Sequence, residues 1–574
     1  MAMFEKQIVS KVVLDDTVPL TCIIEAAHKV KDHTEYQIKV QRGPVPEHSW
    51  VVNKRYNDFV TLDTALHLSG IELPLPPKKV FGNKEREFVA ERQQGLQQYL
   101  TEMLSHPVLA QSLLVKKFLD PDNYPATLNL QEVALQHISM FFRSEPQWEV
   151  VEPLPDIGWR LRKQCFLVKN KTHPKLKYIL SWCKFGPDKF LQDKDLEVLM
   201  KLLPTFSHPY ICPVLFAISS ESSGICIRPF HEKGTLKDLL CKSRPKGYYM
   251  KKYGHPKVVT ALPVPEVRRY GKQILETLKY LHDKGFAYGH IHTGNVLIED
   301  EKCRLLDLEN PLLGLPSRYR PFFTQFKKIQ AIEAVEVYSF GHLLYEMTLG
   351  VPLNTATLEG DLPPTCPPEI RSVLESILTP EACRNGMPSL ADLLTHPLFS
   401  ETFLAGTERP TIKIPSKLKE ALREARGAME KRLKEEQKVI NQFKRLSKAT
   451  AYHMSEDEKK KRRKSRKKAA EQSMMNGGGD AAEGAPTSPT SPTTPTTPSG
   501  AGAAPASPPP PPTPTTPAAP APPPPPPPAE NGVPPTPEPP SGGSGRSALL
   551  SSITGFQKSG LKKTETMDKS GPRI

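Results

Sequence analysis

The sequence predicts a multidomain α+β chain with a proline-rich tail that stays unstructured. Three observations carry this. The first 125 residues hold runs of alternating apolar side chains followed by helical stretches. Residues 147–402 carry short strand-like runs interleaved with amphipathic helices. Beyond Ala485 the composition narrows to Pro, Ala, Ser, Thr and Gly, which cannot bury a core.

Composition bounds the function classes. The 574 residues leave room for two or three domains. They include 62 prolines, about twice the ordinary share. A net charge of +15 suits nucleic acid, anionic membrane or acidic partners, and charge alone does not choose. The nine cysteines form no CxxC pair and read as reduced core thiols of a cytosolic protein. Met1 to Ser10 lacks the apolar core of a signal peptide. No apolar run reaches the ~18 residues of a span, so membrane contact is expected to be peripheral.

In residues 1–125 the runs QIVSKVVL, LTCIIEAA and TEYQIKVQR read as a three-stranded meander. WVVNKRYNDFVTLDTAL then reads as a strand end entering a helix. A proline loop, LPLPPKKVFGN, precedes helices expected at 85–105 and 108–118. Arg55, Tyr56 and Phe59, then Pro74 and Pro77 followed by Lys78, then Arg92 in the next helix, together resemble a phox-homology (PX) domain. That resemblance implies a phosphatidylinositol 3-phosphate site. Arg55 would fork onto the phosphate, Tyr56 would face the inositol ring, Lys78 would reach the linking phosphate and Arg92 the ring hydroxyls. The plainer alternative pairs Arg55 with Asp58 and leaves Tyr56 as packing. Val80 and Phe81 are placed to dip into the headgroup layer. Residues 126–146 read as a linker.

The stretch Tyr280 to Glu309, YLHDKGFAYGHIHTGNVLIEDEKCRLLDLE, resembles the catalytic centre of the protein kinases. Asn295 and Asp307 stand at the two metal-holding positions. His290 replaces the catalytic aspartate, His292 the lysine after it, and Glu309 the glycine of DFG. Upstream, IGWRLRKQCFLVK retains only Gly158 of the glycine-rich loop, so backbone cover of phosphates is lost. KYILSWCKF puts Lys184 at the strand-lysine position, with Glu197 as its expected helix partner. VEVYSFGHLLYEMTLGVP and MPSLADLLTHPLF match the helix and closing motifs of the large lobe, with Glu336 and Met387 as departures. No APE motif precedes Glu336. The resemblance implies a bilobal kinase-like domain with no assigned catalytic residue. Lys184, Glu197, Asn295 and Asp307 form a vestigial nucleotide set able to hold ATP and magnesium weakly. No cofactor is required. His290 is in principle a proton acceptor near neutrality.

Residues 403–470 are expected to be helical and polybasic. Ser416 to Leu446 carries an incomplete apolar stripe (Leu418, Leu422, Met429, Leu433, Ile440, Phe443) suited to packing on the lobe or to a short coiled coil, with Gly427 arguing against a long seam. KKKRRKSRKK, 459–468, reads as a nuclear signal, a nucleic-acid patch or a membrane anchor, and the membrane is favoured beside a lipid-binding domain. In 471–545 the runs 508–512 and 522–528 are expected to form polyproline II for SH3- or profilin-type readers. Ser488, Ser491, Thr494 and Thr497 precede prolines and suit proline-directed phosphorylation. In 546–567, Leu549, Leu550 and Ile553 at helical spacing precede Leu561, Lys562, Lys563 and Thr564. This resembles a WASP-homology-2 motif and implies binding of monomeric actin, with the short helix folding on its target.

Taken together, these features describe a non-catalytic adaptor, cytoplasmic and peripheral on endosomal or plasma membrane. It would hold 3-phosphoinositides, actin and a membrane-protein cargo, with nucleic acid an improbable partner. The alternative is an active atypical serine/threonine kinase recruited to endosomal membranes.

Overall fold

The structure, a computed structural model, describes residues 13–78, 86–404 and 410–475. Strands β1 (Leu20–Val30), β2 (His33–Arg42) and β3 (Ser49–Arg55) form an antiparallel meander in that order. Alternation drives it: Tyr36, Ile38 and Val40 of β2 point inward and are buried. The strands are therefore the second and third alternating runs plus the WVVNKR stretch. Of the first run only Val13 and Leu14 are described, and they are not strand.

Helix α1 (Tyr56–Leu66) follows β3 directly, and Asp58 accepts from the Arg55 backbone amide at 2.7 Å. Helix α2 (Arg86–Ser105) lays Leu96, Tyr99, Leu100 and Met103 on the sheet. Gln97 and Gln93 from α2 satisfy backbone groups of β1 where it bulges near Ile24. The last predicted helix divides into α3 (Pro107–Ala110) and α4 (Leu113–Leu119), because the Ser112 side chain caps a new helix at the Val115 amide.

Residues 126–146 are more than a linker. They contain α5 (Leu130–Phe141), whose Ala134 and Ile138, four apart, are fully buried against the next sheet. That sheet contains β4 (Trp148–Leu154), β5 (Lys163–Asn170), β6 (His173–Lys184), β7 (Phe216–Ser219) and β8 (Ser223–Pro229), in the order β4-β5-β6-β8-β7. Helix α6 (Asp193–Leu202) buries Leu196, Leu199 and Met200 against it.

The larger lobe begins with α7 (Leu236–Leu240) and α8 (Tyr249–Tyr253). Helix α9 (Val264–Asp283) buries Val267, Ile274, Leu278 and Leu281 on one face. A hairpin of β9 (Val296–Glu299) and β10 (Lys302–Leu305) follows, then the short helices α10 (Glu309–Leu312) and α11 (Arg320–Phe323). Helix α12 (Ile332–Leu349) is buried nearly all round. Around it lie α13 (Pro368–Leu378), α14 (Pro380–Asn385), α15 (Leu390–Thr395) and α16 (Pro397–Ser400).

Helix α17 (Ser416–Met475) runs 60 residues, straight through the exposed Gly427. It packs on the large lobe. Leu418 and Leu433 join the lobe's core, and buried Gln437 donates to the carbonyls of Phe326 at 2.9 Å and Ile329 at 2.8 Å. The proximal half of the segment 403–470 is thus part of the kinase-like body rather than a separate element. The basic run 459–468 lies on the distal part of α17.

A knot of charge ties these parts together. Arg320 meets Asp15 at 3.2 Å, Asp188 at 2.9 Å and Glu436 at 2.8 Å. Arg432 of α17 also reaches Asp188, at 2.8 Å. Next to it, Asp16 accepts from Arg162 at 2.7 Å and from the Tyr124 hydroxyl. The strap ahead of β1 is thereby pinned to both lobes and to α17.

Candidate functional site

Two candidate sites emerge, a cluster around Arg92 on the N-terminal domain and the cleft between the kinase-like lobes. In the first, Arg92 is buried and its guanidinium lies 4.2 Å from the ring centres of Tyr56 and Phe88. Its Nη2 points to the Pro77 carbonyl at 3.5 Å, and the Tyr56 hydroxyl donates to the Pro76 carbonyl. Gly95 lets the proline loop approach, since a Cβ there would meet Pro76 Cγ at 2.6 Å. The structure thus brings Tyr56 and Arg92 together with the proline loop. Arg55 and Lys78 lie exposed, at the end of β3 and in the loop. Asp58 holds the Arg55 backbone amide, and no ion pair joins it to the guanidinium among the described residues. Phe88 was not singled out from sequence, although its spacing of four from Arg92 on a helix was a usable signal. Val80 and Phe81 lie outside the described residues.

The cleft is part of a cavity of 380 Å³ that extends to Leu104 and Lys116 of the N-terminal domain. Here the expected Lys184–Glu197 pair does not form. Residues 179 and 181 of β6 face the cleft, and the strand's period of two puts Lys184 in the other set, exposed at the strand end. Glu197 pairs with Lys201 on the surface of α6 at 2.6 Å. Ser181 stands at the cleft instead, and a lysine arrives from the neighbouring strand. Lys163 of β5 lies 2.7 Å from Asp307 Oδ2 and 3.0 Å from Glu309 Oε1. Arg228 of β8 closes the ring, reaching Asp307 Oδ1 at 2.5 Å, Glu309 Oε1 at 2.9 Å and Ser181 Oγ at 3.2 Å.

Arg228 and Glu309 are buried, with Glu309 at 0% exposure, and Lys163 and Asp307 are half-buried at the cleft wall. Burial pushes the Asp307 carboxyl up, but Lys163 and Arg228 outweigh it and hold it well below the usual carboxylate range. Burial likewise pulls the Lys163 ammonium down, yet Asp307 and Glu309 keep it above its ordinary value. Asp307 adopts φ 61°, a left-handed conformation costing a non-glycine residue about 1–2 kcal/mol.

The loop carrying the catalytic position is held from below. Glu336 is fully buried and accepts from the amides of Tyr288 at 2.8 Å and Gly289 at 2.7 Å. Gly289 sits at φ 67°, where a side chain would be strained. Asn295 donates to the His290 carbonyl at 3.1 Å and so braces the loop. From above, Arg160 of the degenerate glycine loop donates to His290 Nδ1 at 3.0 Å and to the Pro316 carbonyl at 2.7 Å. Burial, then the Arg160 charge, push the His290 imidazole well below its ordinary pKa. It is neutral, with its Nδ1 lone pair occupied, and is not the near-neutral acceptor its residue type suggests. His292 is also buried and depressed, by burial and then by Arg318 and Arg160.

Magnesium does not fit this arrangement. Both oxygens of Asp307 are taken by cations, which leaves the Asn295 amide oxygen as the one ligand of the expected pair. A divalent ion would have to displace Lys163 and Arg228 against like charge. Sequence reasoning missed Lys163, Arg228, Arg160 and Arg318. Only the replacement of glycine by Glu309, a buried acid needing a cation, hinted at them.

Comparison with known proteins matches the modules that carry the two sites. A family model described as PX domain matches residues 44–122, one described as protein tyrosine and serine/threonine kinase matches 186–309, and the WH2 motif matches 542–571. The Mus musculus PX domain-containing protein kinase-like protein is 56% identical over 452 residues, 79% of this chain and 77% of its own. The chain belongs to the PX domain-containing protein kinase-like family. A Drosophila melanogaster protein named Slowpoke-binding protein is 38% identical over 36% of this chain and 42% of its own. A Dictyostelium discoideum protein named probable inactive serine/threonine-protein kinase slob1 is 31% identical over 45% and 48%. The chain therefore combines three recognisable modules, and its WH2 segment lies outside the described residues. No helix among the described residues is long and apolar enough to cross a membrane.

Proposed function

We propose that this protein is a non-catalytic adaptor on 3-phosphoinositide membranes, with actin held by its C-terminal segment. The observation that carries the reading is the locked Asp307. A metal-holding carboxylate clamped by Lys163 and Arg228 has no charge left for a metal ion. Arg160 on His290 removes the remaining candidate base. Phosphoryl transfer depends on positioning and charge stabilisation, and both are lost together. The name of the Dictyostelium relative supports the same reading.

On the membrane side, exposed Arg55 and Lys78 flank the Tyr56–Arg92 stack, an arrangement suited to one phosphorylated ring. Each charge-assisted hydrogen bond contributes about 1.5–3 kcal/mol. Attachment is therefore modest and reversible, on the cytoplasmic face of endosomal or plasma membrane. The kinase-like body and the polyproline runs would serve protein partners, a membrane-protein cargo and SH3- or profilin-type readers respectively. The name of the Drosophila relative supports a protein-binding role for the body.

The test is sedimentation of the full chain with liposomes containing phosphatidylinositol 3-phosphate, against Arg55→Ala. Loss of at least about tenfold in binding, with unchanged melting temperature, is expected from one lost phosphate fork. Equal binding by the variant overturns the lipid reading.

A further inference from the structure

Close to the locked carboxylates lies a second group of charges with the opposite balance. Arg160 and Arg318 both line the cleft and both flank Trp159, with guanidinium carbons 4.3 and 5.5 Å from its ring centre. Among the described residues neither has a carboxylate within ion-pair reach. Arg160 spends two donors on neutral acceptors, His290 and the Pro316 carbonyl. Arg318 also approaches the Tyr249 ring at 5.8 Å.

Between them stands His292, 4% exposed, its ring edge-on to Trp159 at 6.3 Å. Its Nδ1 accepts from the Gly294 amide at 3.1 Å, so in the neutral ring Nε2 carries the hydrogen. That Nε2 is buried and has no partner. A buried N–H without an acceptor costs about 1–3 kcal/mol and calls for an explanation. The nearby acids do not supply the acceptor. Glu346 is taken by Lys237 and the Thr293 hydroxyl, and Asp238 by Lys252, Ser243 and Tyr253.

We infer that Arg160, Arg318 and the Nε2 hydrogen of His292 form a site for the terminal phosphate of a di- or polyphosphate, bound without a divalent metal. The Arg318 and Arg160 charges, each with N–H groups beyond those bonds, and the single His292 donor come from different elements that line one cleft: the segment before α11, the degenerate loop and the catalytic-position loop. A tetrahedral dianion presents acceptors in all those directions, whereas a planar carboxylate presents two in one plane. In a kinase the divalent ion neutralises the phosphates. Here arginines stand in that role, while Lys163 and Arg228 keep the ion away from Asp307. The inference is independent of the lipid and actin readings.

Phosphate of this kind has two sources, free pyrophosphate or the terminal phosphate of a nucleotide whose base enters the apolar slot near Ile179 and Leu297. The experiment uses the full chain carrying Arg55→Ala, so that the lipid pocket does not report. Thermal shift and calorimetry are run with pyrophosphate, ATP and adenosine, each in EDTA and again in excess magnesium. Binding of pyrophosphate or ATP in EDTA, weakened by magnesium, is expected, with adenosine alone far weaker. Pyrophosphate equal to ATP identifies the free anion as sufficient, and ATP much the tighter identifies a nucleotide.

Arg318→Gln should raise the dissociation constant at least about tenfold, and Arg318→Lys should keep part of the affinity. No binding in EDTA, binding only with magnesium, or adenosine binding as well as ATP overturns the inference, as does parental affinity in Arg318→Gln. If Arg318→Gln fails to fold, the EDTA and magnesium comparison on the parent still decides.

Discussion

Arg160 Nη2 lies 3.0 Å from His290 Nδ1, so the side chain that replaced phosphate-covering backbone occupies the side chain that replaced the catalytic aspartate. Two departures from the kinase pattern have become each other's partner. Restoring one of them does not restore the chemistry.

His290→Asp is therefore expected to leave the protein inactive. The new carboxylate would pair with Arg160 at close range, and Asp307 would remain clamped by Lys163 and Arg228. Radiolabel incorporation with ATP and magnesium should match that of Asp307→Ala. Robust autophosphorylation that Asp307→Ala abolishes would show that the base alone had been limiting, and would favour the atypical-kinase alternative.

The charge knot at Arg320 should govern cohesion of the body. Arg320→Ala strips one of two cations from buried Asp15 and Asp188 and leaves both carboxylates to Arg432 alone. Leaving a buried charge wholly unpaired costs about 3–5 kcal/mol, and with Arg432 still in reach a part of that is expected. A lowered melting temperature and faster hydrogen exchange over residues 13–19 are expected. Arg423→Ala, which removes only an exposed pair with Glu420, should change stability by less than about 0.5 kcal/mol. Equal effects from the two substitutions would mean that the knot is not holding the strap.

His342 should make stability fall in acid. It is 1% exposed and stacked on Tyr319 at 4.4 Å, and burial pushes its pKa down to about 3. The unfolded chain takes up the proton near its ordinary value of about 6.5. The contribution is thus full above that pH and is lost as pH falls from about 6.5 towards 3. The slope for one proton is about 1.4 kcal/mol per pH unit. Denaturant unfolding of wild type and His342→Phe from pH 7.5 to 5 measures it. The wild type should lose more stability over that range than the variant, and parallel curves would remove His342 as the cause.

For the actin-binding segment, Ile553→Asp with Leu561→Asp should abolish binding of a peptide spanning 546–566 to monomeric actin. Burial of two aliphatic side chains supplies about 3–6 kcal/mol by area, and carboxylates there add a desolvation cost. Lys562 and Lys563 would retain only a salt-screened attraction. Calorimetry at physiological salt gives the comparison, and equal affinities would reduce the LKKT match to coincidence.

Local signals in the sequence were enough for the elements and the modules. Period-two alternation in β2, the apolar face of α9 and the HPLF ending at α16 are short-range patterns, and each matches its element. Residues decided by tertiary structure were those whose partner lies far along the chain. A shift of one residue along β6 sends Lys184 to solvent and leaves Ser181 in the cleft. Which cations then meet Asp307 depends on the stacking of β5, β6 and β8, since Lys163 and Arg228 are distant in sequence both from each other and from Asp307. Helices α5 and α17 show the same division. Their helical character was readable in α17 and missed in α5. In both, however, the choice of packing surface came from apolar area that each lobe leaves uncovered, a property of the assembled lobe and of no local stretch.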